Sequence, residues 1–426
     1  MLIKKTKSIL NSEQNRPITQ LITGASLAQA ITIIVSPIST RLYSPEELGI
    51  YTLLLTVISL FGPIICGKYD LSIVSAKDEK EAMEIAVASI VFSILLTILI
   101  TIAYSFYLSS KPNITNKVGI YAYVVILLLL INSLSNVLTS YNNRHKEYKT
   151  ISSVYVIRTT VQNIGLVSLG LLKLGVIGLL ISQLLGSISG FKKQSSKLIE
   201  NASLLKQVDI KGVKKALINY KNQPLFSMPA HFIGTFSYSI INLFITGLFG
   251  LNVFGYYSMA YRMLGLPLSL ISMNISKVFF QRATDEMNET GNFFNTLKKI
   301  TIILSIISVP MIIVLMFLGP NLFELVFGDG WGTAGGYVRI LAPMYGIRLV
   351  VSALTPALIV AGKQKLEMKI QALFIPCSVI AYVTCKFSNY EIEIFLKIIS
   401  LTYSIIYIIF FAFIYKLSKK KRLDVC

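Results

Sequence analysis

Five basic residues interrupt long apolar segments of this sequence. They are four arginines and one lysine: Arg158, Arg262, Arg339, Arg348 and Lys397. The acidic residues, by contrast, fall almost entirely between the apolar segments or at their ends. Because a guanidinium group can hold two oxygens of one phosphate at once, buried cations without partner acids predict binding of an anion, and phosphate is the best match.

The spacing of three of these arginines predicts which of them face the protein interior. Arg158 and Gln162 lie four residues apart, which places them on one face and predicts a polar stripe towards the interior. The alternative for Arg158 is a side chain that reaches the surface from a span end. Arg339 and Arg348 lie nine residues apart, near opposite faces of a regular helix, so we expect one of them to face a cavity and favour Arg348.

The remaining charged candidates leave more alternatives open. Arg262 either contacts substrate or bonds backbone carbonyls freed near Pro267. Lys397 lies near the end of the last apolar segment and could reach the surface instead. Lys68 and Asp70, in "GKYDLSIV", could form a gate or a substrate contact, or could anchor the end of a helix.

The composition predicts that most of the chain lies in a lipid membrane. Hydrophobic residues make up 54% of the 426 residues, charged residues make up 14%, and the mean hydropathy is +0.67. Such a chain can hold about a dozen spans of ~20 residues. Its first apolar run follows a polar, basic start and leads into further apolar segments, so we expect no cleavable signal peptide.

The apolar runs predict an all-α membrane protein of about 12 transmembrane helices in two six-helix lobes. We expect the N-terminal lobe at residues 1–191, a basic cytoplasmic linker at 192–223, and the C-terminal lobe with a basic tail at 224–426. The predicted spans are 17–40, 47–66, 83–108, 118–140, 151–172, 174–191, 224–248, 254–276, 299–319, 335–361, 370–385 and 392–415.

The distribution of basic residues predicts the orientation of these spans. With both termini cytoplasmic, most of the 40 basic residues fall inside, and the outside receives only Arg41, Lys111, Lys117, Lys173 and Lys386. This asymmetry follows the positive-inside rule. The net charge of +20 is therefore explained by membrane orientation and anionic lipid, and no nucleic acid partner is expected.

Two stretches of the sequence resemble each other at a distance of 206 residues. "TRLYSPEELGIY" ends at Tyr51 and "TGLFGLNVFGYY" ends at Tyr257. Each lies where the first span of a half turns into the second. Because six spans per half is an even number, this repeat predicts two parallel halves related by a pseudo-two-fold axis along the membrane normal.

The cysteines and histidines predict no metal site, and no cofactor is expected. None of the four cysteines forms a metal-type pair, and no carboxylate cluster accompanies either histidine: Cys66, Cys377, Cys385 and Cys426; His145 and His231.

Several motifs in order resemble the polysaccharide biosynthesis family of oligosaccharide-lipid flippases. They are "TRLYSPEELGIY", "GKYDLSIVSAKDEKEA", "NRHKEYK", "FGYYSMAYRMLGLP", "FGDGWGTAGGYVRILAP" and "VVSALTPALIVAGKQK", spread over residues 17–416. The resemblance implies the multidrug/oligosaccharidyl-lipid/polysaccharide exporter superfamily, with two lobes around a V-shaped cavity. It implies cationic cavity residues at Arg262 and Arg348, and less firmly at Arg41, which ends the first span.

The resemblance also implies the cargo and the setting. The cargo would be an isoprenoid-pyrophosphate-linked oligosaccharide, moved to the outer leaflet of a bacterial cytoplasmic membrane for O-antigen or capsule synthesis. Membrane lipids and a polysaccharide polymerase complex are the other candidate partners. Two alternatives remain: a multidrug exporter of the same superfamily, which should carry buried acids, and a membrane-embedded polymerase or acyltransferase, which should present catalytic residues near the surface.

Overall fold

The computed structural model describes residues 16–109, 118–205 and 207–419, and these residues form helices without strands. The predicted cytoplasmic and outer charges Lys4, Lys5, Lys7, Lys111, Lys117, Lys206, Lys420, Lys421 and Arg422, together with Cys426, lie outside them. The chain divides into two compact units, unit 1 (Met1–Thr235) and unit 2 (Phe236–Cys426). The predicted boundaries of lobes and linker remain a prediction.

Unit 1 begins with six long helices and one short helix, α3. They are α1 (Arg16–Leu42), α2 (Pro45–Phe61), α3 (Tyr69–Ser72), α4 (Glu79–Ser109), α5 (Val124–Arg144), α6 (Tyr148–Leu171) and α7 (Gly175–Ile188). Four short helices follow: α8 (Phe191–Gln194), α9 (Ser196–Glu200), α10 (Ala202–Leu205) and α11 (Ile210–Asn219). The next helix, α12 (Met228–Pro267), contains the boundary between the units.

Unit 2 continues with seven further helices after α12. They are α13 (Met273–Thr290), α14 (Phe294–Phe327), α15 (Gly332–Leu354), α16 (Ala357–Val360), α17 (Gln364–Ala372), α18 (Phe374–Ser388) and α19 (Ile392–Lys419). Helix α15 packs against both α14 and α19. Serine hydroxyls join neighbouring elements here: Ser400 donates to the Ile340 carbonyl at 2.9 Å, and Ser272 donates to the Leu349 carbonyl at 2.7 Å.

The number of spans agrees with the prediction. Ten segments of the described residues are long and apolar enough to cross a membrane. One of them, Gln223–Thr290, is 68 residues long and is broken at Gly250, so it supplies two crossings. Helix α6 adds a further 24-residue helix whose polar residues lower its hydropathy. Twelve spans follow, and the protein is an all-α, multi-pass membrane protein.

The two similar stretches occupy matching turns in the two units. In unit 1 the turn residue is Ser44, the N-cap of α2. Its side chain and that of Glu47 form a reciprocal capping box, and Pro45 between them occupies the first helical position. The residue 206 positions later is Gly250, whose φ of 82° and ψ of 178° break α12. Tyr51 and Tyr257, seven residues beyond each turn, are both buried. The predicted internal repeat is confirmed at this turn.

Part of the predicted linker is folded against unit 1. The Tyr69 hydroxyl donates to the Leu217 carbonyl at 3.1 Å, and the Tyr220 hydroxyl donates to Glu81 at 3.3 Å. Asn201 donates to the Tyr141 hydroxyl at 2.8 Å. These hydrogen bonds fix the short helices α9–α11 beside the ends of α4 and α5, so this segment also has a structural role.

Candidate functional site

Small residues let α6 and α7 approach closely in unit 1. A Cβ atom added to Gly186 on α7 would lie 2.6 Å from the Gln162 Cβ and 3.0 Å from the Arg158 carbonyl oxygen on α6. Small residues at a helix crossing allow this separation inside a membrane. The contact therefore sets the positions of Arg158 and Gln162, the two residues predicted to share a face.

Arg158 uses its whole guanidinium group and binds only neutral partners. Its Nη2 donates to the Gln194 Oε1 at 2.8 Å, its Nε donates to the Ser189 carbonyl at 3.3 Å, and its Nη1 donates to the Ser135 hydroxyl. The Phe191 ring lies 5.0 Å from the guanidinium carbon. No ion pair to Arg158 occurs within the described residues, so its positive charge is positioned but not neutralised.

Gln194, the central partner of Arg158, is itself fixed by α5. It is 2% exposed, and its amide nitrogen donates to the Thr139 hydroxyl at 2.8 Å and to the Ser135 carbonyl at 3.1 Å. Its backbone carbonyl accepts from the Asn142 amide at 2.6 Å. The guanidinium group is thus held by a partner that has little freedom to move.

Two cavities of about 200 and 320 Å³ border Arg158. Asn132, Ser135, Tyr155 and Arg158 line both. The lining is largely amide and hydroxyl groups around one arginine, with a single carboxylate, Asp70, in the larger cavity. This arrangement can hold an anion and can also hydrogen-bond to neutral hydroxyl groups.

A second hydrogen-bond network joins Gln162 and Gln183, which line the smaller cavity, to the buried Tyr51 behind them. The Gln162 amide donates to the Gln183 Oε1 at 2.6 Å and to the Tyr51 hydroxyl at 3.1 Å. The Tyr51 hydroxyl in turn donates to the same Gln183 oxygen at 2.7 Å. The structure thus brings Gln162 and Arg158 to one polar cavity surface, and a tyrosine that follows the repeated turn holds Gln162 from behind.

Lys68 and Asp70 are buried after the end of α2 rather than exposed at a helix end. Lys68 is 8% exposed and Asp70 is 7% exposed. The backbone is left-handed at Gly67 and Lys68, and this turn directs the chain into α3. Asp70 lines the larger cavity together with Arg158.

Arg348 of unit 2 has aromatic neighbours instead of hydrogen-bonding amides. Its guanidinium carbon lies 4.6 Å from the ring centre of Tyr238 and 5.5 Å from that of Tyr345. Both distances are in the range of cation–π contacts. The part of the chain that the structure describes contains no ion pair to Arg348.

The other predicted cations are spread over different surfaces. Arg262, on α12, is half-buried, whereas Arg339, on α15, and Arg41, at the end of α1, are exposed. Lys397 is also exposed and lies 3.9 Å from Glu393, one turn earlier on α19. Neither cavity beside Arg158 is lined by any of these residues.

A sequence model for polysaccharide biosynthesis proteins matches residues 38–334 of the chain. The match covers more than half of the 426 residues. The chain belongs to the polysaccharide biosynthesis protein family. No curated protein sequence matches it.

Solved structures show the fold to which this polysaccharide biosynthesis protein is similar. Lipid II flippase MurJ, in an inward closed conformation, has a TM-score of 0.72 at 14% identity, over 92% of this chain and 87% of that one. An inward-facing multidrug resistance MATE family transporter of the MOP superfamily has a TM-score of 0.67 at 16% identity, over 94% and 96%. A MOP superfamily transporter from Pyrococcus furiosus has a TM-score of 0.63 at 15% identity, over 96% and 98%. The polysaccharide biosynthesis protein thus has the two-lobed MOP transporter fold, in agreement with the prediction.

Several residues around Arg158 were missed by sequence reasoning about this polysaccharide biosynthesis protein. Asn132, Ser135, Asn136 and Thr139 follow one another at helical spacing on α5 and line the cavities. A polar stripe of this kind within an apolar span was a usable signal. Gln194 had no such signal, because it lies in the stretch assigned to the linker.

Proposed function

We propose that the protein is a flippase. It moves isoprenoid-pyrophosphate-linked oligosaccharide repeat units from the cytoplasmic to the outer leaflet by alternating access, for synthesis of a surface polysaccharide such as O-antigen or capsule. The observation that carries this proposal is the polar cavity pair around Arg158, whose guanidinium is held by neutral groups and has no ion pair within the described residues.

The chemistry of the cargo explains why such a cavity is needed. A sugar–pyrophosphate headgroup cannot cross the hydrocarbon core unaided, because its charges and hydroxyl groups would lose their water partners. Arg158 supplies a charge for the pyrophosphate, while Asn132, Gln162 and Gln183 supply donors and acceptors for hydroxyl groups. The isoprenoid tail can stay in lipid.

Family and fold support the same class of cargo. The family is named for polysaccharide biosynthesis, and one structural neighbour is named a flippase of lipid II. A multidrug exporter of organic cations is the second candidate, since another neighbour is a multidrug resistance transporter. An organic cation would meet the charge of Arg158 in both cavities, and the smaller cavity has no carboxylate in its lining to offset that charge, so we favour the anionic cargo.

Orientation and partners complete the proposal. The basic residues favour cytoplasmic N- and C-termini in a bacterial cytoplasmic membrane. Arg158 and Gln162 are the substrate contacts that we assign. Arg262 and Arg348 remain candidate contacts, whereas we expect the exposed Arg339 and Lys397 to contribute little to binding. A polysaccharide polymerase complex remains a candidate partner.

The test is a reconstituted flipping assay. Proteoliposomes receive a fluorescent oligosaccharide on an isoprenoid pyrophosphate, and a membrane-impermeant quencher reports which leaflet holds it. We expect protein-dependent exchange between leaflets. A matched glycolipid with the pyrophosphate replaced by a neutral linker should move much more slowly. Equal movement of both lipids, or movement of an organic cation dye instead, would contradict the proposal.

A further inference from the structure

Asp70 is the one carboxylate among the residues lining the two cavities beside Arg158, and one of its oxygens is unsatisfied. The side chain is 7% exposed, and Oδ1 has no hydrogen-bond partner within the described residues. Backbone N–H groups of Asp70 and Leu71 interact with the carboxylate. Buried polar atoms almost always have partners, so this oxygen is free to bind a proton or a group that enters the cavity.

Charged and titratable groups in this part of unit 1 come from several elements. Lys68 and Cys66 precede it in the same turn, and Arg158 and Tyr155 line the same cavity from α6. On α4 and α5, Glu79 and Arg144 bind each other at 2.8 Å, and Arg144 also donates to the Ala76 carbonyl at 2.7 Å. His145 is 3.5 Å from Glu79, and His231 interacts with Lys68.

These neighbours favour a proton over a metal ion as the occupant. Asp70 is the one carboxylate in the lining, and no group of three or more His, Cys, Asp or Glu side chains that could hold a metal occurs in the described ranges, so the cavity lacks the anionic ligands that a metal ion needs. A proton adds no bulk and converts the unsatisfied acceptor into a donor. The amide and hydroxyl oxygens of Asn132, Asn136 and Ser140 offer acceptors in the same cavity.

We infer that Asp70 is a proton-binding site that controls the anion affinity of the cavity it shares with Arg158. Ionised Asp70 offsets the charge of Arg158 and opposes an incoming anion. Protonated Asp70 leaves the charge of Arg158 uncompensated, so the cavity holds an anion more tightly. By linkage, a bound anion also favours protonation of Asp70 to the same extent.

The proton site is tested first, without any cargo. Infrared difference spectra of the purified full-length protein between high and low pH should contain a protonated-carboxyl band that Asp70→Asn loses. Asp70→Glu should keep a shifted band, and the matched control Asp78→Asn, at an exposed acid of the same unit, should leave the spectrum unchanged. An unchanged spectrum in Asp70→Asn, or a band that responds to Na⁺ at constant pH, would overturn the inference. Thermal unfolding of each variant verifies that it is folded.

Control of anion affinity is tested next, and this step rests on the proposed function. Binding of a short isoprenoid pyrophosphate is measured for the wild type and Asp70→Asn across the same pH range, and the ratio of the two affinities removes the titration of the probe. We expect Asp70→Asn to bind several-fold more tightly at high pH and equally at low pH. A ratio that does not change with pH would overturn the inference. Absence of binding by both proteins would instead count against the proposed function, while the infrared result still decides the proton site.

Discussion

Arg158 and Arg348 both lie inside apolar spans, yet the two units surround them in different ways. Arg158 in unit 1 donates to an amide oxygen, a backbone carbonyl and a hydroxyl group, and it borders two cavities. Arg348 in unit 2 lies against the rings of Tyr238 and Tyr345. A hydrogen-bonded guanidinium beside a cavity can exchange partners with a ligand, whereas one held against aromatic rings also stabilises its own surroundings.

The aromatic surroundings of Arg348 extend beyond its two nearest rings. Phe374 packs against Tyr238, Tyr403 and Tyr407, with ring centres 5.5, 4.5 and 5.1 Å apart. The Tyr403 and Ser378 hydroxyls are 2.7 Å apart. This tyrosine cluster joins α12, α18 and α19, so the cation beside it contributes to packing. An arginine within a span can therefore serve binding or structure. Polar partners beside a cavity indicate binding, and aromatic rings in a packed cluster indicate a structural role.

The largest effect is expected from Arg158→Lys. Lysine keeps the charge but lacks the planar fork, so it cannot hold Gln194, Ser189 and Ser135 together or offer two donors to one pyrophosphate. We expect flipping to fall about tenfold or more, which corresponds to ~1.4 kcal/mol or more of lost interaction free energy. The measurement is the quencher assay in proteoliposomes.

The matched control for Arg158 is Arg339→Lys, a change at an exposed arginine that lines neither cavity. It should leave the flipping rate close to that of the wild type. If Arg339→Lys reduced flipping as strongly as Arg158→Lys, there would be no reason to assign cargo binding to the cavities beside Arg158. A normal rate in folded Arg158→Lys would have the same consequence.

The fold was largely predictable, because the length of the apolar segments and the repeated turn each reflect local physics of the chain. The shared face of Arg158 and Gln162 was predictable for the same reason, since four residues make one helical turn. The partners of these residues were not. Gln194 reaches Arg158 across 36 positions of sequence, and Tyr238 reaches Arg348 across more than one hundred. Such contacts depend on helix packing, which spacing along one helix does not encode.

A second prediction tests whether the close contact of α6 and α7 positions the site. Gly186→Ala would place a methyl group 2.6 Å from the Gln162 Cβ and 3.0 Å from the Arg158 carbonyl oxygen. Neither atom is the flexible end of a side chain that could move aside. Overpacking of this kind costs about 1–3 kcal/mol. We expect a lower unfolding temperature and reduced flipping.

Gly247→Ala is the control for Gly186→Ala, since this glycine also lies in a helix but has open space where the methyl group would be. Alanine is the better helix former by about 1 kcal/mol, so this change should be neutral or stabilising. Equal destabilisation by both alanines would show that the contact of α6 and α7 is unimportant.

A third prediction concerns the tyrosine cluster of unit 2. Tyr238→Leu removes the ring nearest to Arg348, and we expect a loss of about 2 kcal/mol in stability, the magnitude of a desolvated cation–π contact. Tyr238→Phe keeps the ring face and should lose less. Thermal unfolding of both variants gives the comparison. A larger loss in Tyr238→Phe than in Tyr238→Leu would assign the effect to the hydroxyl group and remove the cation–π explanation.

The smallest effect is expected from Lys397→Gln. Lys397 and Glu393 are 63% and 59% exposed, and their charged atoms are 3.9 Å apart, so the pair resembles the helical surface pairs that contribute at most a few tenths of a kcal/mol. Glutamine keeps the length and helix propensity of the side chain. Unfolding temperature and flipping rate should therefore stay within error of the wild type. If flipping fell severalfold while the protein stayed folded, Lys397 would act on the cargo. The exposure of a cation in this structure would then not show whether it contacts the cargo. Besides an arginine that binds beside a cavity and one that stabilises packing, the protein would contain a cation that contacts the cargo outside the two cavities.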